Sequence, residues 1–440
     1  MCVYMHPYLI PQGTNPKLVC RKVEFQSLLM EAKMVVGVET VVPAEKSEVS
    51  VATRTPTTLF SNSVVDLARG DPILYEPYWK KMGDRCKMII SADELMSYFS
   101  NSVNLCWFLM SELDRAIRRL HHVVGNAVVD DDRFIIVGNG STQIFHALLY
   151  ALSSPDQPEP ISVIAAAPFY SSYPMETEFL RSRLYKWAGD ANRFDEDQAY
   201  IEVVTSPNNP DGSIRGTVVN REGGKCIHDL AYYWPQYTTI TRKADHDVML
   251  FTFSKATGHA GSRIGLKLKP YFYSWAIVKD KAIASKMVTF IEVSSIGVSK
   301  ESQLRASTIL GVIADDCQNP KLKEVNFFKH GRRLMSNRWK KLREVVMKSN
   351  GVLSLPEYPQ GYCKFTGKYT DSNPAFAWLR CKEGLNCEDV LREECGIMTR
   401  GGTSFGVEAT YTRVSMLCSD AEFNFMLERL SAFNGTLNGN

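Results

Sequence analysis

The sequence predicts an α/β fold: a mostly parallel sheet covered on both faces by helices, followed by a smaller α+β domain. Three observations lead there. Short apolar runs of strand length recur through the middle of the chain, helical periodicity separates them, and beyond Lys300 the texture turns helical before two further strand candidates.

Taken in order, residues 1–61 mix Pro, Thr, Ser and Val without sustained period and read as a tail with little fixed structure. Phe134 to Val137 is the first apolar strand; Gly138, Gly140, Ser141 and Thr142 follow, then a helical pattern through Phe145, Leu148, Leu149 and Leu152. Further strands are expected at Ser162–Ala166, Tyr200–Thr205, Lys225–His228 and Val248–Phe253. An amphipathic helix is expected near Phe327–Lys348, where Leu334, Trp339, Leu342, Val345 and Val346 lie close to one face. A strand at Ala375–Leu379, a helix at Cys387–Glu394 and a last strand at Thr412–Leu417 complete the smaller part. No internal repeat interrupts this order.

Composition removes several classes of function. The chain has 440 residues with 51 Lys plus Arg against 48 Asp plus Glu, a net charge of +3 and no basic face, so nucleic acid is not an expected partner. No apolar run approaches the roughly 18 residues that span a bilayer, and no membrane association is expected. The eleven cysteines include no C-x-x-C pair and no zinc-like Cys/His spacing, so they are expected to be reduced thiols. Pro7, Pro11 and Asn15 break any secretory apolar core, and Glu24, Glu31, Glu39, Glu45 and Glu48 are unlike a transit peptide, so a cytoplasmic location is expected.

The chemistry gathers at strand ends. In FTFSKATGHAGSRIG, Lys255 follows an apolar strand at the edge where α/β sheets keep their ligands, and an amine there can form a Schiff base with an aldehyde cofactor. Arg263 is near enough in sequence to meet a phosphate. Upstream, Asp229 ends another strand with Tyr232 one loop away, and Asn209 sits in SPNNPDG, a turn fixed by its prolines and Gly212. Before these, GNGSTQ opens a helix whose amide groups and dipole suit a phosphate. Each piece alone has a plainer reading, as a surface lysine, a helix cap, an ordinary turn or a tight connection. Their order, closing on S-K and G-x-R-x-G, is what a chance arrangement does not supply.

That order resembles the fold-type-I pyridoxal-phosphate aminotransferases. The wording SPNNPDG, HDLAYYWPQYT, FTFSKATGHAGSRIG and SSIGVSKESQLR resembles their plant alliinase-like branch, and within it the L-tryptophan:pyruvate aminotransferases of auxin synthesis, from about Val64 to the C-terminus. The resemblance implies a large domain at 105–329 and a small domain built from 62–104 and 330–434. It implies that Lys255 carries pyridoxal 5′-phosphate and moves a proton at the substrate, and that Asp229 keeps the pyridine nitrogen protonated. Asn209 and Tyr232 would bond the cofactor's ring oxygen, while Ser141, Thr142, Ser254 and Arg263 would hold its phosphate. Tyr170, with Phe169 as rival, would stack on the ring, and Tyr98 would approach the phosphate from the other subunit of a homodimer. Arg413 would take the substrate α-carboxylate, the substrates being an amino acid and a 2-oxo acid.

Two departures bear on function. Leu266 to Ser274 stands where the family runs from GSRIG directly into W-A, so it is expected to be an intrusion that delays the next strand, as a loop or as a remnant that weakens cofactor binding. The cysteine-rich module of the alliinases proper is represented only by Cys2 and Cys20, which points away from a secreted lyase. A transaminase, a carbon–sulfur lyase on S-alkyl cysteine sulfoxides and a catalytically impaired folded partner all remain open, with the wording favouring the first.

Overall fold

The computed structural model describes residues 64–261, 273–322 and 326–437. The tail at 1–61, Arg263 and residues 266–272 of the departing segment lie outside the described residues.

Seven strands form the main sheet: β1 (Phe134–Asn139), β2 (Ile161–Ala165), β3 (Tyr185–Asp190), β4 (Tyr200–Thr205), β5 (Lys225–Asp229), β6 (Val248–Thr252) and β7 (Tyr273–Val278). Their spatial order is β1-β7-β6-β5-β4-β2-β3. All neighbours are parallel except around β7, which runs antiparallel to both β1 and β6. β2, β4 and β6 are buried along their whole length, which is why they read as mostly apolar runs. Helices Ser111–Val124, Ser141–Leu152, Lys281–Ser295 and Lys300–Gln318 bury apolar stripes, and the first packs against the last while the second packs against the third. No helix among the described residues is long and apolar enough to cross a membrane.

The parallel strands all point their carboxyl ends one way. The turns leaving β1, β4, β5 and β6 deliver Ser141, Asn209, Tyr232 and Lys255 to one end of the sheet. A second, antiparallel sheet orders Arg400–Gly401, Tyr411–Ser415, Phe376–Cys381 and Leu353–Ser354. The strand Val65–Asp66 pairs in parallel with Ile397–Met398, and the Ser415 amide donates to the Leu67 carbonyl at 2.9 Å. This pairing holds residues 68–70 beside the ends of the main sheet.

Three expectations need correction. Tyr273 and Ser274 are not part of an intrusion: Ser274 lies opposite Thr252 and Gly138 in the ladder and is buried, so the strand begins within the departing segment. Not all cysteines are reduced. Cys381 at a strand end and Cys387 at a helix start are bonded, because the turn between them brings their Cα atoms to 5.4 Å, a bridging distance. Lys255 lies not at the strand end itself but in the short helix Phe253–Thr257 that follows.

Candidate active site

A cavity of about 330 Å³ opens where the carboxyl ends of the main sheet meet the second sheet. Of the sequence-predicted residues, Ser141, Thr142, Tyr170, Asn209, Asp229, Tyr232, Ser254, Lys255 and Arg413 all line it. Phe169 does not; it is buried against Trp187, which leaves Tyr170 as the ring facing the cavity. Tyr98 is 73% exposed and lines a separate depression with Ser295 to Glu301. Arg263 lies outside the described residues.

Lys255 donates from Nζ to the Gly70 carbonyl at 2.5 Å and stands 5.7 Å from the centre of the Tyr232 ring. A Cβ on Gly70 would come within 2.7 Å of Phe376 and 3.3 Å of this amine, so glycine is what lets the 68–70 loop close over the lysine. At the far wall, Asp229 accepts from the Tyr173 hydroxyl at 2.8 Å and from the Ala231 amide at 3.0 Å. The Tyr173 proton being spent on Asp229, its oxygen accepts from Thr205 Oγ1 at 2.6 Å. Burial of the Asp229 carboxyl raises its pKa, and the Tyr173 and Ala231 bonds pull it back down. A cation bonded to this carboxylate would offset that burial.

The third corner is Arg413. Its Nη1 donates to Asn209 Oδ1 at 2.9 Å and its Nη2 to the Ala68 carbonyl at 2.6 Å, and the guanidinium lies 4.1 Å from the Phe376 ring centre. Burial lowers its pKa to about 10, which still leaves it charged at neutral pH. Its Nε is buried with no partner. At the start of the helix Ser141–Leu152, Gly140 holds φ +96°, a conformation open to glycine, no side chain caps the helix, and its first residues Ser141 and Thr142 line the cavity. Beside them the Ser254 hydroxyl is buried without a hydrogen-bond partner. Thr142 Oγ1 donates to Glu176 Oε1 at 3.1 Å, and burial raises Glu176 to about 7.

These groups fit pyridoxal phosphate. An amine and a buried carboxylate line the same cavity, and the orphaned Ser254 hydroxyl and the uncapped helix start offer donors that an anion would satisfy. Sequence reasoning missed Tyr173, Gly70, Arg400 and Phe376, which also belong to this cavity or support it. Tyr173 shares the segment APFYSSYP with Tyr170, and that aromatic spacing was the one available signal.

The fold is that of the fold-type-I pyridoxal-phosphate aminotransferases. It matches an aminotransferase structure from Staphylococcus aureus with TM-score 0.56 at 15% identity, covering 87% of this chain and 98% of that one. The chain belongs to the alliinase family, whose model, described as "Allinase", matches residues 65–434. It is 51% identical over 376 residues to "Tryptophan aminotransferase-related protein 2" of Arabidopsis thaliana, covering 85% of this chain and 82% of that protein. It is 35% identical over 375 residues to "Alliin lyase 1" of Allium sativum, covering 82% and 73%.

Proposed function

We propose that the protein is a pyridoxal-phosphate-dependent aminotransferase that moves the amino group of L-tryptophan to pyruvate, giving indole-3-pyruvate and alanine for auxin synthesis. The observation that supports it most is the convergence of Lys255, Asp229 and Arg413 on one cavity, at three walls that a cofactor and an amino acid would share. When bound, pyridoxal phosphate supplies an electron sink that makes the substrate Cα–H acidic. Lys255 would hold the cofactor through its aldehyde and would carry the proton to and from the substrate Cα. Asp229, fixed by Tyr173 and Ala231, holds the proton on the pyridine nitrogen. Tyr232 and Asn209 orient the ring, while Ser141, Thr142, Ser254 and Arg263 hold the phosphate. Arg413 receives the α-carboxylate, with Asn209 keeping the guanidinium turned into the cavity.

The choice of transfer over lyase chemistry rests on similarity: 51% identity to a protein named as tryptophan aminotransferase-related against 35% to an alliin lyase. The purified protein with pyridoxal phosphate should convert tryptophan and pyruvate to indole-3-pyruvate, and Lys255→Ala should lose both the visible absorbance of the bound cofactor and turnover. Pyruvate release from alliin without transfer from tryptophan would overturn the proposal in favour of a lyase.

A further inference from the structure

Arg400 and Arg413 stand directly opposite each other on antiparallel strands Arg400–Gly401 and Tyr411–Ser415, and both line the cavity. Opposite residues in such a ladder hold their Cβ atoms roughly 5 Å apart, and like charges there repel. The Arg400 charge indeed helps to lower the pKa of Arg413, after burial and against two tyrosines. Neither guanidinium meets a carboxylate among the described residues. Arg400 donates to Ser171 Oγ at 2.9 Å, and Arg413 donates to Asn209 and the Ala68 carbonyl with its Nε left unpartnered. Asp229, the one acid among the described residues that line the cavity, is engaged by Tyr173 and Ala231.

Two facing cations with no counter-ion among the described residues, opening on one cavity, fit an anion placed between them. Resting on the reading of this cavity as the substrate site, we propose that Arg400 is a second ligand of the substrate α-carboxylate, which it shares with Arg413. Two of the five Arg413 N–H groups are already committed to Asn209 and Ala68. A second guanidinium therefore adds charge-assisted bonds that Arg413 alone does not supply. The pair selects for the carboxylate that amino donors and 2-oxo acceptors have in common, whatever their side chains. Ser171, bonded to Arg400, is the positioning residue that keeps it facing the cavity.

The test uses two dead-end probes of the same shape, indole-3-propionate and indole-3-propionamide, titrated by calorimetry into the cofactor-loaded protein. In Arg400→Met the Kd of the acid should rise about tenfold or more, the scale of a lost charged hydrogen bond, while that of the amide stays within about twofold. Arg400→Lys should recover part of the preference for the acid, and the absorbance of the bound cofactor should not change in either variant. Equal weakening of both probes would make Arg400 a structural tether of Ser171, and unchanged acid binding would remove it from the site. Each of these results overturns the proposal. If the unaltered protein binds neither probe, the reading of the cavity as a substrate site falls, and this proposal falls with it.

Discussion

Asp229 owes its place to two donors, the Tyr173 hydroxyl and the Ala231 amide, and each is itself fixed by the sheet. Ala231 lies two residues beyond the end of β5, and Tyr173 is held by Thr205 at the end of β4 and by a stacked contact with Phe145, ring centres 5.3 Å apart. Replacing the charge but not the shape separates these roles. Asp229→Asn should keep the fold yet reduce turnover by about 10²–10³-fold, near 3–4 kcal/mol, the scale of losing one charged stabilising contact in an enclosed site. Tyr173→Phe removes one of the two bonds and keeps the stacked ring, so about a tenfold loss is expected, with cofactor leaving more readily on dialysis. Near-normal turnover and cofactor retention in both variants would show that the carboxylate does not contact the cofactor.

At the scale of elements, what the sequence revealed follows from which interactions are local. β4 and β6 were legible because a strand buried on both faces is mostly apolar, and the site residues that follow them came with them. β3 was not, because its residues are mostly half-buried and its sequence, YKWAGD, alternates weakly. The Cys381–Cys387 bond was not legible either, since two bonded cysteines depend on a strand-to-helix turn that spacing alone does not specify. Removing it with Cys387→Ser should lower unfolding stability by about 2 kcal/mol, the chain-entropy value for so short a loop, measured by urea unfolding with and without reductant; no difference between variant and oxidised parent would contradict this. His121 joins another pair of elements. The Trp275 indole donates to its Nε2 at 3.0 Å and Asn126 Oδ1 lies 2.8 Å from Nδ1, which places the ring proton on Nδ1. Burial lowers its pKa to about 4 against 6.5 unfolded, so the unfolded chain takes up the proton first. Stability from this group is complete above about pH 6.5 and falls toward pH 4, by up to about 1.4 kcal/mol per pH unit. Glu176, raised to about 7, works in the opposite direction between about pH 4.5 and 7, so the parent curve alone mixes the two. Comparing urea midpoints of the parent and His121→Gln at pH 7.5, 6 and 5 isolates the histidine: the variant should lose the extra acid sensitivity, and parallel curves would refute the assignment.

For the molecule as a whole, the cavity uses parts separated by most of the chain, from Gly70 to Arg413, yet one expected contributor, Tyr98, faces away from it. The segment around Tyr98 also exposes Ile89 (95%), Met96 (82%), Phe99 (61%) and Val103 (94%), an unusual density of large apolar side chains for a surface that stays in water. Both facts are accounted for if a second copy of the chain covers this segment and receives Tyr98 at its own phosphate site. The consequence is testable by complementation. Tyr98→Ala and Lys255→Ala should each be inactive alone. A mixed dimer then holds one site with both defects and one with neither, because the intact Tyr98 of the Lys255→Ala subunit serves the intact Lys255 of the other. With free subunit exchange half of the dimers are mixed, so an equal mixture should recover about a quarter of the parent activity, the fraction set by two-fold symmetry. A protein that is fully active as a monomer by light scattering, or a mixture that exchanges subunits without regaining activity, would show that each chain completes its own site.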